Sequence, residues 1–337
     1  MPTFRRTFPV FINRWTQKSF QTLLIMAFVC SCEQTERHEL ASQGSTVQAN
    51  TNQRVARVRD GRLVNKLLFS ESDMESDRVA PLKSSINQML ESLKSQQALT
   101  AASVYYLDLS TGDWFTINAS EGYTPGSLLK LPVSLTFLKK AESDPRLLEQ
   151  MVYCNVPPTA VPDQTFEIEP IVTGQSYPLA ELLKRVLKYS DNISTSLINV
   201  RLDFTMLDKL YRDLGQSTPD MFDKSYVTNV VDYSRFLNVL YNGSWLSPAN
   251  SELVLGWLTE SSFRDGMVKH LPDDVLVARK FGEFGTSQNK QWHESGVVYA
   301  PNGHYVLTVM TKGKEADKLR YAIAEVSKLV YENRRKP

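Results

Sequence analysis

At 337 residues the chain has room for one large domain or two small ones, and 42% hydrophobic with 22% charged residues is the balance of a globular protein, not of a disordered or fibrous one. Lys plus Arg number 38 and Asp plus Glu 37, so the net charge of +1 leaves no bulk electrostatic case for a nucleic-acid or polyanionic partner. The 3 cysteines and 4 histidines show no zinc-type spacing, and neither a metal nor another cofactor is expected.

The chain opens with Arg5, Arg6, Arg14 and Lys18, followed by the apolar run Leu23-Leu24-Ile25-Met26-Ala27-Phe28-Val29 and then Cys30-Ser31-Cys32. A basic start, an apolar stretch and a small-residue cleavage point make a signal peptide. The small Ser31 directly before Cys32 resembles the lipobox of bacterial lipoproteins, whereas Cys30 follows the bulkier Val29 and fits less well. A transmembrane anchor is the weaker alternative, because a spanning helix needs about 20 apolar residues; a plain secretory signal is another. The expectation is a signal peptide over 1–32 with Cys32 lipidated. That makes an exported protein held to a membrane through its lipid only, facing the periplasm or the cell exterior. Cys154 would then be the one remaining thiol, with no intrachain disulfide to form.

Residues 33–77 are rich in Gln, Ser, Thr and Arg and read as a polar tether, broken by a short apolar patch at Leu63, Val64, Leu67, Leu68 and Phe69. The folded domain is expected over 78–337. Leu82, Ile86, Met89, Leu90 and Leu93 recur at helical spacing over 81–97. Ala102 to Leu109 and Trp114 to Asn118 read as strands joined by the turn Ser110-Thr111-Gly112-Asp113. An apolar helix follows Ser127, and the middle of the chain to about residue 265 reads as mostly helical. Val275 to Phe281, His293 to Tyr299 and His304 to Thr311 return to strand, and a helix closes the chain from about Lys314 to Tyr331. With strands at both ends and helices between, the expected fold class is α+β: one antiparallel sheet built from both ends of the chain, helices on its faces, and an all-helical insertion. The active site would lie between sheet and insertion. A monomer is expected.

Three motifs carry chemistry, in order. Ser127-Leu128-Leu129-Lys130 puts a hydroxyl and an amine on one face of a helix start, about one turn apart. A serine hydroxyl needs a base, and a lysine serves if its surroundings lower its pKa. Ser190-Asp191-Asn192 and Lys280-Phe281-Gly282 follow. Alone, Ser127 reads as a helix cap and Lys130 as a surface residue; the ordered set decides otherwise. A second match, Ser287-Gln288-Asn289-Lys290, lies in a polar loop with no helix to align it.

Together these motifs resemble the S-x-x-K, S-D-N and K-T-G set of the serine β-lactamases and penicillin-binding proteins. The resemblance to class A β-lactamases extends over about residues 100 to 315. It includes the lead-in Pro125-Gly126 and the block from His293-Glu294-Ser295-Gly296 to Thr311-Lys312-Gly313. It implies that Ser127 attacks the carbonyl, Lys130 takes its proton and Ser190 relays a proton to the leaving nitrogen. Asn192 would hold the substrate's side-chain amide and orient Lys130. Lys280 would steady Ser190 and attract the substrate carboxylate, with Gly282 beside it. The main-chain N–H groups of Ser127 and Glu283 would form the oxyanion hole, and Asp191 would be structural.

Two departures stand out. No glutamate occurs between Glu181 and Glu252, where class A enzymes carry the one that activates the deacylating water; Asp220 and Asp223 lie in that region but are shorter. Phe281 replaces the hydroxyl residue that binds the substrate carboxylate and is expected to shape an apolar rim. His293, Trp114 and Trp292 are expected to be structural, and Arg334, Arg335 and Lys336 to form a solvated tail. The leading expectation is a hydrolase that forms an acyl-enzyme at Ser127 with β-lactam-type amides and turns over slowly. The alternatives are a carboxypeptidase acting on D-Ala-terminated peptides of the cell envelope, and a non-catalytic envelope-binding module.

Overall fold

The computed structural model describes residues 55–334 apart from 60, 71–73, 163–165, 167, 221, 222, 224 and 287. The expected signal peptide over 1–32, with Cys32, lies outside the described residues.

A five-stranded antiparallel sheet forms the centre, in the order β4-β3-β9-β8-β7. β3 (Ala101–Asp108) and β4 (Trp114–Ile117) come from the first part of the chain. β7 (Leu276–Thr286), β8 (Asn289–Ala300) and β9 (Gly303–Gly313) come from the last. The sheet thus joins both ends of the domain, as expected from the element order. Alternation along β3 divides its side chains between two cores: Ala102, Val104 and Tyr106 enter one, Tyr105 and Leu107 face the other.

The first core is covered by α1 (Ala80–Ser95) and α8 (Ala316–Arg334). α1 buries Leu82, Ile86 and Leu90, four residues apart, and each contributes roughly 1.5–3 kcal/mol relative to exposure. The second core belongs to the inserted helices: α2 (Lys130–Ala141), α3 (Leu179–Lys188), α4 (Asn192–Asn199), α5 (Phe204–Asp213), α6 (Val230–Asn242) and α7 (Pro248–Thr259). The insertion is not all-helical. β5 (Met151–Tyr153) and β6 (Ser176–Pro178) pair into a small hairpin inside it.

Two further expectations need correction. The tether over 33–77 ends earlier than its polarity indicated, because β1 (Val55–Arg59) and β2 (Asn65–Ser70) form an antiparallel hairpin that belongs to the domain. Leu63 and Val64, at its turn, are 1% and 0% exposed in the helical core. Their amides donate to the Glu252 carboxylate at 2.8–3.0 Å, and Arg57 binds the Leu109 carbonyl at 2.6 Å. Arg334, expected in a solvated tail, is held by the Tyr106 hydroxyl, Asp108 and the Asn302 carbonyl; Arg335 and Lys336 lie outside the described residues.

Candidate active site

The nucleophile turn is built by close approach of main chain to main chain. Ser127 sits in a 3₁₀ turn, Gly126–Leu129, that runs directly into α2. Gly126 has φ +52°, and a Cβ there would lie 2.0 Å from the Glu283 carbonyl; a Cβ on Gly282 would lie 2.6 Å from the Pro125 carbonyl and 2.8 Å from the Leu128 nitrogen. Only glycine at both positions lets the turn sit against the edge strand β7. This contact brings together the two segments that carry the Ser127 and Glu283 N–H groups.

The lead-in is fixed from three sides. The Gln291 side-chain oxygen accepts from the Thr124 amide at 3.0 Å, and the buried Tyr233 hydroxyl donates to the Leu128 carbonyl at 2.9 Å. His293 Nε2 lies 3.1 Å from the Thr124 carbonyl while its Nδ1 faces the Thr311 amide at 3.4 Å. A carbonyl only accepts and an amide only donates, so the ring carries its proton on Nε2 and is neutral. Burial agrees, pushing its pKa down to about 4. His293 is structural, as expected, although its strand enters the site.

Lys130, at the start of α2, is 7% exposed. Its Nζ lies 2.5 Å from the Ser190 carbonyl, 3.0 Å from the Ser190 hydroxyl and 2.8 Å from Asn192 Oδ1. Burial lowers its pKa to about 7, against the opposing pull of the Asp191 and Glu283 carboxylates. An amine near neutrality at physiological pH is what a general base for a serine requires.

Ser190 is 2% exposed and takes φ +57°, a left-handed conformation that costs a serine of order 1 kcal/mol or more. The surrounding residues hold it there. Asp191 caps α4, accepting from the Ile193 and Ser194 amides at 2.9 and 3.3 Å. Its second oxygen takes the Ser194 hydroxyl at 2.7 Å and the Arg185 guanidinium at 3.0 Å, a pair buried to 5% and 3% side-chain exposure. Asp191 is therefore a positioning residue for its two neighbours. Asn192 Nδ2 donates to the Pro162 carbonyl at 3.2 Å, tying the segment before β6 to the site.

These residues meet at a cleft of about 510 Å³ lined by Ser127, Lys130, Ser190, Asn192, Thr195, Glu283 and neighbouring apolar groups. The structure thus brings Ser127, Lys130, Ser190, Asn192 and Glu283 together. Lys280, expected to steady Ser190 and draw in a carboxylate, stands behind the cleft wall with its charge in range of Lys130. Its side chain is fully buried; it donates to the Phe281 carbonyl at 2.7 Å and lies 4.1 Å above the Phe281 ring, and it does not line the cleft. Phe281 lines the cleft, as an apolar rim residue would, but little of it is exposed. It is 3% exposed and packs with Trp292, Phe263 and Phe166 at centroid distances of 6.2, 4.9 and 5.5 Å. Asp223 accepts from the amide and hydroxyl of Ser225, at 2.7 and 2.5 Å, and neither it nor Asp220 lines the cleft. The Lys290 of the second S-x-x-K match stands near the tip of the β7–β8 hairpin; Ser287 lies outside the described residues.

Pro162, Thr195, Ile198 and Asn199 line the cleft without having been recognisable beforehand. The only signal for the last three was their spacing along the helix after Asn192; Pro162 carried none. Among the described residues no group of His, Cys, Asp and Glu could hold a metal, and no helix is long and apolar enough to cross a membrane.

A sheet closed from both ends, a helical insertion, and a serine and a buried lysine at their junction define the serine β-lactamase and penicillin-binding fold. The chain belongs to the β-lactamase enzyme family, which matches residues 81–333. Among solved structures it is similar to PBP-A, at 21% identity over 77% of this chain and 97% of that one, with a TM-score of 0.63. A β-lactamase from Chitinophaga pinensis is similar at 18% identity, over 75% of this chain and 99% of that one, with a TM-score of 0.65. A PBP-A point variant held as an acyl-enzyme with penicillin G is similar at 20% identity, covering 75% and 97%, with a TM-score of 0.62. No curated protein matches.

Proposed function

We propose that the protein is a serine hydrolase that forms an acyl-enzyme at Ser127 with β-lactam-type amides and releases it slowly. The observation that carries this reading is the buried Lys130 amine, shared between Ser190 and Asn192 in the cleft that also holds Ser127. Neutral Lys130 takes the Ser127 proton as Oγ attacks the carbonyl carbon. The oxyanion develops against the N–H groups of Ser127 and Glu283. Collapse breaks the C–N bond, and Ser190 passes a proton to the leaving nitrogen, taking one from Lys130 in turn. Water must then cleave the ester, and among the described residues the cleft lining offers no carboxylate from between Asn192 and Glu252 to activate it.

The second reading, a penicillin-binding enzyme acting on D-Ala-terminated envelope peptides, is favoured by that same gap and by the similarity to PBP-A, whose variant holds penicillin G covalently. Export and lipidation at Cys32 belong to this proposal and place the cleft at the envelope; loss of membrane association in Cys32→Ala tests them.

Intact-mass measurement of the full-length protein with penicillin G, with Ser127→Ala as control, decides the reading. An adduct on Ser127 that persists for many minutes is expected. Rapid release would make it an efficient β-lactamase; no adduct with any β-lactam would leave the binding-module reading standing.

A further inference from the structure

The charges around the cleft are arranged unusually for a site that takes a carboxylate. Glu283 is half-buried on the edge strand β7, lines the cleft with Ser127, and its charge reaches Lys130. Lys280, the cation expected to face the substrate, is withdrawn into the interior and spends its hydrogen bond on the Phe281 carbonyl. No arginine is present among the described lining residues, and the one lysine there, Lys130, is already shared between Ser190 and Asn192. The hydroxyl that could have bonded a carboxylate is replaced by Phe281, whose ring is packed into the aromatic core. An incoming carboxylate would lose water, meet a like charge, and find among the described lining residues no cation but the already shared Lys130, with Lys280 acting only from behind the cleft wall, a combination that disfavours binding.

We propose that the cleft selects acyl donors that carry no carboxylate where they meet β7, taking neutral or cationic ones instead, with Glu283 as the selecting group. This rests on the acyl-enzyme reading above and narrows its substrate class. An ammonium or a neutral ester or amide beside the scissile bond meets Glu283 without penalty, and the ammonium gains from it. Glu283 acts here through its side chain; its N–H is available to the oxyanion whatever side chain position 283 bears.

The test compares penicillin G with its methyl ester and its 2-aminoethyl amide, donors that share one ring and differ in charge at one point. Second-order acylation of Ser127 in the full-length protein is followed by intact mass, and each rate is divided by that donor's alkaline hydrolysis rate. The normalised rate should be about tenfold higher for the ester than for penicillin G, and at least as high again for the amide. Glu283→Gln, with its melting temperature checked, should bring penicillin G to within about twofold of the ester, and raising the salt should narrow the wild-type gap. Equal or faster labelling by penicillin G, or an unchanged ratio in Glu283→Gln, overturns the charge selection and leaves the acyl-enzyme reading intact. No labelling of Ser127 by any donor overturns both.

Discussion

The Lys130 amine lies 2.5 Å from the Ser190 carbonyl and 3.0 Å from the Ser190 hydroxyl, so one residue from a helix start and one from a strained turn share a single proton-handling group. Burial holds that amine near neutrality, with a pKa of about 7. Acylation of Ser127 should therefore rise with pH as Lys130 loses its proton and level off above neutrality. Lys130→Ala should slow acylation by roughly 10²–10⁴-fold, and Lys130→Arg equally, since a guanidinium stays protonated. Intact-mass rates between pH 5.5 and 9 check both; a flat profile in the wild type would remove Lys130 as the base.

Asp191 satisfies the start of α4 and the buried Arg185 at once. Asp191→Ala should cost about 3–5 kcal/mol, because it takes from a buried guanidinium its nearest carboxylate, leaving the Glu169 carbonyl and the more distant Glu181, as well as removing a cap. Denaturant unfolding measures this. In variant protein that still folds, acylation should also slow, since both neighbours of Asp191 line the cleft.

Glu252 holds two amides of the β1–β2 hairpin turn. Glu252→Ala should destabilise the domain by about 1–3 kcal/mol and speed hydrogen exchange at Leu63 and Val64, with little change in acylation once the protein is folded. Exchange unchanged at those two amides would show that packing alone holds the hairpin.

Glu294 is fully buried, with the Met267 amide on one oxygen at 2.9 Å and Arg279, Lys280 and Asp265 in electrostatic range. Burial raises its pKa to about 7, above its value in an unfolded chain. A carboxyl raised on folding is fully compatible with the fold while protonated in both states, so its contribution is intact below about pH 4.5 and is lost as pH climbs to about 7. Its part of the stability should fall over that window by on the order of 3 kcal/mol. Glu294→Gln should flatten this part of the stability–pH curve, as measured by denaturant unfolding at several pH values.

The elements that place the site could be read from local pattern. Leu82, Ile86 and Leu90 announce α1 by period, and Ser127, Lys130, Ser190 and Asn192 announce the cleft by motif and order. What escaped depends on contacts distant in sequence. The β1–β2 hairpin interleaves its apolar residues with charged ones such as Arg57, Arg62 and Lys66, and only Glu252, 189 residues beyond Leu63, shows that its turn is buried. The withdrawal of Lys280 follows from how its strand packs, since a lysine reads the same whether it faces a cleft or its neighbour's carbonyl. Arg334 looked like part of a basic tail because its partners, Tyr106 and Asp108, sit on β3.

The left-handed turn at Ser190 sets folding against chemistry at a single position. A glycine there would relax the backbone at no steric cost, yet it would delete the hydroxyl that receives Lys130's proton. Screening this protein for thermal stability alone would therefore favour variants that have lost proton relay. Any stabilising substitution recovered at position 190 should be assayed for acylation before it is kept.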